Sequence, residues 1–515
     1  MLFNSLEFAI FLPIVFAIYW AIGYIHIRSE LKIRLQNAFI VIASYVFYGW
    51  WDWRFLFRIG FTSFCSWVSG LLISGADSRN ESLGILASVP SKVWMIANVV
   101  INLAILATFK YYDFFVTEFC GLFGLSSDGL LLKIILPVGI SFYTFQALSY
   151  SIDVYRHKIQ PTRDIISFFA FISFFPQLVA GPIERATNLL PQFLHERTFD
   201  YAQAVDGIRQ MLWGLFKKIV VADNCATIVD QVWSTYDTQP ASALLIASVL
   251  FTFQIYGDFS GYSDIAIGTA KLFGIKLMRN FSNPYFSRDI AEFWRRWHIS
   301  LTTWFRDYVY IPLGGSRPEI PNGLKHPVAY KKLIVIRNTF VIFLLSGFWH
   351  GANWTFIVWG AYHAMLFLPL ILLGKNRKYT NQVGTCEVQG DENMIRLRML
   401  PTWREFIQIC ITFCFVVLGW IIFRAENIMQ ACEYAAALFD KGLFANPHLT
   451  LMKTAPFIVL LIIIEWAQRN KQHGFEINNS DLFKYRLVRY ILFSIVFLGI
   501  IAFRGGVKAF IYFQF

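Results

Sequence analysis

His350 and His298 are the residues whose type and setting best suit chemistry. His350 lies in Leu344-Leu-Ser-Gly-Phe-Trp-His350-Gly-Ala-Asn-Trp354, between apolar runs over 334–345 and 354–373. An ionisable side chain at that depth is costly, so it marks a functional site. Imidazole is the one side chain whose ordinary pKa lets it take and give a proton near neutral pH. Gly347, Gly351 and Ala352 leave room beside the ring, and Trp349 and Trp354 can wall it from lipid. His298 belongs to a second stretch, Glu292 to Gly315, where aromatics and bases interleave at helical spacing. Arg295, Arg296 and Arg306 there suit the phosphates of a cofactor or of a carrier's prosthetic arm. An interfacial surface helix is the alternative reading of the same pattern.

Other polar groups stand in apolar surroundings. In Gln254-Ile-Tyr-Gly-Asp258-Phe-Ser-Gly-Tyr-Ser-Asp264, two carboxylates need hydrogen bonds or a cation, or they take up protons. Asp258 either anchors a nearby arginine or orients a catalytic group. Pro137 to Gln146, followed by Tyr150 and Asp153, reads as a broken, polar-faced span that lines a cavity or hydrogen-bonds between helices. Phe175 to Arg185 reads as a proline-glycine pivot at the membrane edge. Asn353 and Tyr310 complete the candidate substrate-binding groups. Tyr512, in the tail Phe510-Ile-Tyr-Phe-Gln-Phe515, is either an aromatic anchor at the outer interface or a hydroxyl folded back to the reaction centre. No H-E-x-x-H or H-x-x-E-H arrangement supports a metal site, and no G-x-S-x-G elbow supports a serine hydrolase.

The elements that must position these residues are membrane helices. Of 515 residues, 56% are hydrophobic, 18% aromatic and only 15% charged, and the mean hydropathy is +0.50. That balance is that of a polytopic membrane protein. The net charge of +12 comes from bases in short loops, which argues against nucleic acid. The 7 cysteines are scattered with no C-x-x-C pair, so neither a disulfide framework nor a zinc site is indicated. Met1–Trp20 has no basic n-region and no A-x-A site, so its apolar run reads as a retained helix.

Apolar runs fall near 6–25, 35–51, 55–74, 93–109, 130–152, 165–181, 241–257, 333–349, 354–373, 405–423, 450–467 and 487–503. They predict about eleven full crossings in an all-α bundle. The stretches 110–125, 203–222, 259–275 and 285–313 fit re-entrant or interfacial helices. Arg28, Lys32 and Arg34 follow the first run, which puts the N-terminus outside and the 26–34 loop in the cytoplasm. Further basic loops precede 333 and follow 373, so His350 lies at a turn entered from the cytoplasmic side, and the last span leaves the C-terminus outside. The 374–403 stretch is the one plainly polar loop, and the chain reads as a single membrane domain over 1–515.

Together, Pro137–Arg156, Gly257–Gly268, Phe293–Gly315, Gly347–Trp354 and the FIYFQF tail resemble the membrane-bound O-acyltransferase superfamily, in its bacterial alginate O-acetyltransferase branch. The likeness runs over nearly the full length and departs in loop content, chiefly 374–403. It implies a ring of helices around a central tunnel whose two funnels meet at His350, with His298 as companion. It further implies transfer of an acetyl group from a cytoplasmic thioester, acetyl-CoA or an acyl carrier, with no tightly bound cofactor and no metal. The acceptor class implied is an exported polysaccharide such as alginate, cellulose or peptidoglycan, reached through a periplasmic SGNH-type partner. The setting implied is the bacterial inner membrane, with lipid around the chain and both termini periplasmic. Two rivals remain at this point. One is a transporter or flippase with proton-relay histidines, although no internal repeats appear; the other is an acyltransferase of the same scaffold acting on a lipid or protein.

Overall fold

The computed structural model describes the chain except for residues 79–85, 87, 321–325, 384, 389–390, 440–441, 450–453, 478–481, 504–507, 509 and 512–515. Helices dominate, and among the described residues the one sheet is an antiparallel hairpin, Thr385–Val388 with Asp391–Leu397, inside the polar 374–403 stretch. A helix needs about 20 apolar residues to cross a bilayer. Among the described residues seven helices meet that requirement: Leu6–Tyr24, Arg54–Asp77, Ser91–Lys110, Ala241–Leu272, Pro327–His350, Trp354–Leu372 and Trp403–Arg424. The other expected crossings correspond to helices that are shorter, as in Ala455–Ala467 and Ile140–Tyr155, or that open on charges, as Ser29–Gly49 does with Glu30, Lys32 and Arg34.

The fold contains two compact units, Met1–Met211 with Tyr262–Met278, and Leu212–Gly261 with Arg279–Phe515. In the first, Ile140–Tyr155 is buried on nearly every face and packs on Arg54–Asp77 and Ser91–Lys110. Its polar residues serve helix-to-helix hydrogen bonds. Gln146 Nε2 donates to Phe171 O at 2.7 Å, and Ser151 Oγ accepts from Asn98 Nδ2 at 2.6 Å. Lipid offers no partner to such groups, so helices satisfy one another. The Phe175–Arg185 pivot contains a short helix, Phe175–Leu178, and then Glu184, which is buried. Glu184 accepts from Met278 N and, at 2.6 Å, from Asn188 Nδ2.

The Ala241–Leu272 helix corrects one expectation. A break was expected after 257 because Gly257 and Gly261 interrupt the apolar pattern, but the helix runs on unbroken. These glycines serve close packing. A Cβ on Gly257 would stand 2.8 Å from Lys217 O, and one on Gly261 would stand 2.7 Å from Gly214 O. Small residues at such spacing let two helix backbones approach in a membrane. Lys217 belongs to Phe216–Ala222, which is wound as a π-helix directly after the helix that holds Gly214.

In the second unit, Pro327–His350 and Trp354–Leu372 form a tight helical hairpin. Pro327 opens the first helix, where its missing N–H costs nothing. Asn353 caps the second, its Oδ1 accepting from Thr355 N at 3.0 Å. A Cβ on Gly347 would collide with the carbonyl of Phe356, and one on Gly360 with that of Phe343. Both contacts therefore need glycine.

Candidate functional site

His350 occupies the last position of the Pro327–His350 helix and is 4% exposed. Its ring is caged by Trp349, Trp359 and Phe423, with centroids at 4.8, 5.2 and 5.3 Å, all met edge-on. Trp349 is buried and forms part of the wall, as its position suggested, whereas Trp354 is 48% exposed. Trp359 and Phe423 come from the two following long helices, so neither adjoins His350 in sequence.

His298 sits between two short helices, Ile290–Arg296 and Ile299–Phe305, and is 1% exposed. Its backbone is left-handed, φ 43° and ψ 55°. A non-glycine residue held there costs about 1–3 kcal/mol and persists only where its surroundings demand it. Those surroundings are specific. His298 Nδ1 faces Asn280 Oδ1 at 3.0 Å, Ile299 N donates to Asn280 O at 2.8 Å, and Ser300 Oγ donates to Asn280 Oδ1 at 2.9 Å. Phe259 meets the ring edge-on at 4.6 Å, and Trp349 lies 5.9 Å away. Burial without a neighbouring charge pushes the imidazole down to about 3, so it stays neutral at working pH. His298 and His350 thus share one wall, the indole of Trp349.

A cavity of about 590 Å³ is lined by Trp294, Arg295, Ile299, Arg306, Tyr310, Phe343, Ser346, Phe367, Arg377 and Thr380 among others, and by neither histidine itself. Ser346 stands four residues before His350 on the same helix, hence on the same face. The cavity therefore runs from an arginine-bearing region to within one helical turn of the histidine.

The sequence candidates divide around this cavity. Arg295 and Arg306 line it, and Tyr310 does so with its hydroxyl 3.0 Å from Ser316 Oγ. Arg295 is also engaged with the carbonyls of Asn376 and Tyr379, at 3.0 and 2.7 Å, and so holds the 374–380 segment against its helix. Arg306 pairs with Asp307 at 2.7 Å on an exposed face. Arg296 is not among the lining residues; it is buried and pairs with Glu292 at 2.6 Å and Gln382 Oε1 at 2.7 Å. Asn353 is spent on the cap and on Glu426 O at 2.8 Å. A further histidine, His363 of the Trp354–Leu372 helix, is not among those candidates; its Nδ1 accepts from Trp294 Nε1 at 3.3 Å inside an aromatic cluster.

Asp258 partners a lysine rather than an arginine. Lys218 Nζ donates to Asp258 Oδ1 and lies 2.9 Å from Asp223 Oδ1, while Asp258 Oδ2 accepts from Ile511 N at 2.7 Å. Phe510 and Ile511 are buried, and Phe510 lies 5.6 Å from Phe259, itself a neighbour of His298. The tail thus reaches into the unit as far as Ile511, and Tyr512 lies outside the described residues.

Sequence reasoning passed over Asn280, Trp359, Phe423 and Lys218. Only Lys218 carried a signal, as one of two lysines inside the apolar run Leu215–Ala222. The rest are ordinary residues made important by contacts distant in sequence.

The family model described as membrane-bound O-acyltransferase matches residues 158–386, which hold both His298 and His350. A protein named as a probable alginate O-acetylase, from Pseudomonas aeruginosa, is 39% identical over 448 residues, 86% of this chain and 75% of that protein. The peptidoglycan O-acetyltransferase of Helicobacter pylori is 32% identical over 565 aligned positions, covering 100% of this chain and 98% of that protein. The teichoic acid D-alanyltransferase of Bacillus subtilis is 29% identical over 296 residues, 56% of this chain and 69% of that protein.

Proposed function

The chain belongs to the membrane-bound O-acyltransferase family, and from that premise we propose that it passes an acetyl group from a cytoplasmic thioester through the membrane for O-acetylation of an exported polysaccharide. Membership makes it a multi-span membrane acyltransferase. The finer reading adds acetyl-CoA as donor, the bacterial inner membrane as location with both termini periplasmic, and an SGNH-type periplasmic partner that completes the transfer. Relatives named for alginate and for peptidoglycan share an acetyl group and an exported glycan, which supports that acceptor class. The observation that carries the reading is the cavity with Arg295, Arg306 and Arg377 in its lining and Ser346 one turn from buried His350. Guanidinium groups suit the phosphates of a coenzyme or of a carrier's prosthetic arm, and the space beyond them is apolar enough for an acyl thioester.

In the proposed chemistry, His350 takes the proton of the acceptor hydroxyl as that oxygen attacks the thioester carbonyl carbon. A C–O bond forms, the carbonyl oxygen becomes an oxyanion, and its collapse breaks the C–S bond. The thiolate leaves with the proton returned by the His350 imidazolium. General-base help of this kind is worth roughly 10²–10⁴-fold. His298 is the second proton-handling group, and the aromatic cage excludes water that would otherwise hydrolyse the thioester.

Tyr512 is the transient acceptor in this reading, its phenol carrying the acetyl group to the outer partner. Support comes from its neighbour Ile511, tied to Asp258 one residue before Phe259. Cells lacking the chain and supplied with wild type, His350→Ala or Tyr512→Phe provide the test, read as ester acetate on the exported polysaccharide. Wild type restores acetate and both variants fail at equal protein level; full acetylation by His350→Ala ends the catalytic reading, and full acetylation by Tyr512→Phe ends the relay.

A further inference from the structure

We infer that Asn280 is a positioning residue that holds His298 in the tautomer protonated at Nδ1, which leaves Nε2 as the nitrogen that receives a proton. The inference rests on the reading of His298 as part of the acyl-transfer centre, and it assigns the direction in which that histidine works.

One oxygen fixes the tautomer. Asn280 Oδ1 lies 3.0 Å from His298 Nδ1, and the same atom takes the backbone N–H of Ser300 at 3.3 Å and the Ser300 hydroxyl at 2.9 Å. A backbone N–H can only donate, so the Asn280 atom it meets is an acceptor, the amide oxygen and not the NH₂. Nδ1 facing that oxygen must then be the donor. A neutral imidazole carries one N–H, so its lone pair resides on Nε2.

The residue that performs this task is itself immobilised. The Asn280 carbonyl accepts from Ile299 N at 2.8 Å, so both ends of Asn280 grip the turn that contains His298. Asn280 is fully buried, and His298 adopts its left-handed backbone within that grip. The arrangement is more specific than filling space with an amide requires, since three hydrogen bonds converge on one oxygen and the fourth fixes the backbone.

Ser300 Oγ also lies 3.4 Å from Nδ1, but its one proton goes to Asn280 Oδ1, so towards Nδ1 it can only accept, which agrees with an N–H there. Phe259 from the Ala241–Leu272 helix, Phe281 from the preceding loop and Trp349 from the Pro327–His350 helix carry no charge. Asp258, next to Phe259, is committed to Lys218 and Ile511, and His350 packs on Trp349 at 4.8 Å. A neutral His298 with Nδ1 engaged cannot offer Nε2–H to an oxyanion. It accepts a proton, either from the acceptor hydroxyl or in relay with His350, and hydrogen-bond donation to the oxyanion falls to another group.

The experiment uses the full chain in lipid nanodiscs with labelled acetyl-CoA, comparing wild type, His298→Ala, Asn280→Leu and Asn280→Asp. Asn280→Leu removes the acceptor, and we expect kcat to fall on the order of 100-fold with KM within about twofold, because a catalytic histidine without its tautomer-setting partner loses up to ~10⁴ in rate. Asn280→Asp keeps an acceptor and adds a charge at hydrogen-bond distance, which raises an imidazole pKa by ~1–3 units. The acid limb of kcat/KM then appears at higher pH than in wild type, a change that a purely structural role would not produce. ¹⁵N-histidine spectra, with the His298 signal assigned by its loss in His298→Gln, read the tautomer in the wild-type protein itself and do not depend on either Asn280 variant folding. A proton on Nε2, or a wild-type pH profile in Asn280→Asp while His298→Ala is inactive, overturns the inference and leaves His298's role intact. Full activity of His298→Ala instead removes the reading beneath it.

Discussion

Trp349 meets the neighbouring His350 edge-on at 4.8 Å, with the two ring planes 74° apart. The same indole lies 5.9 Å from His298. One buried side chain therefore packs against both histidines and helps to shield them from water. Trp349→Ala opens a void there, with an expected cost of about 3–5 kcal/mol in stability. Transfer should fall by roughly 10²-fold, as for a small misplacement of catalytic groups, while thioester hydrolysis rises relative to transfer. Stopped assays that separate free acetate from transferred acetate check this.

The hairpin that presents His350 depends on two glycines. Gly347→Ala or Gly360→Ala drives a methyl group into the carbonyl of Phe356 or Phe343. Neither carbonyl can move without parting the helices, so each variant should lose thermal stability in detergent and lose activity in step with it. Unchanged stability in both would show that the helices pack less tightly than described.

Much of this arrangement was legible in the chain. Long apolar runs bounded by bases marked the main helices, and His350 and His298 stood out because an ionisable group in apolar surroundings is expensive. The Ala241–Leu272 helix was misread at its middle, because glycine breaks a helix in water yet serves close packing in a bundle. Asn280 could not be found by type or spacing, since a lone asparagine in Arg279-Asn-Phe281 has no signature until the turn at His298 folds over it. Arg296 shows the converse. Its type suits phosphate, but Glu292 one turn earlier claims it.

Lys218 is the cation that permits Asp258 and Asp223 to lie close together in a buried place. Lys218→Met removes the cation that both carboxylates touch, and breaking a buried pair in this way costs about 3–5 kcal/mol. Adding Asp258→Asn should recover part of that loss. Thermal unfolding of the single and double variants checks the coupling, and equal additive losses would contradict it.

Glu184 gives the fold a pH dependence. Burial raises its pKa to about 7, against the partial help of Met278 N–H, Asn188 and Arg185. The folded value is above the unfolded one, so the native state binds the proton more tightly. Stability is therefore full below about pH 4.5 and declines as pH rises through about 7, by up to ~3 kcal/mol on account of this group. Glu184→Gln should flatten that decline. Unfolding midpoints from pH 5 to about 8 check it, and identical slopes in the two proteins would remove Glu184 as the cause.

The cavity lining separates two kinds of arginine. Arg306→Ala should raise KM for the thioester by about tenfold with little change in kcat, since uniform binding is lost. Arg295→Ala should do this and also free the 374–380 segment from its helix, because Arg295 holds the carbonyls of Asn376 and Tyr379. Limited proteolysis within 374–380 distinguishes the two, with faster cleavage expected for Arg295→Ala alone.

The central claim is that His350 turns over an acyl thioester, and one measurement addresses it most directly. Purified protein in sealed vesicles receives acetyl-CoA labelled in the acetyl group from the basic-loop side, and thiol release and label transfer are followed together. Label should leave the thioester with wild type at a rate at least about 10²-fold above that with His350→Ala, at equal folded protein. Equal turnover by the two proteins would contradict it.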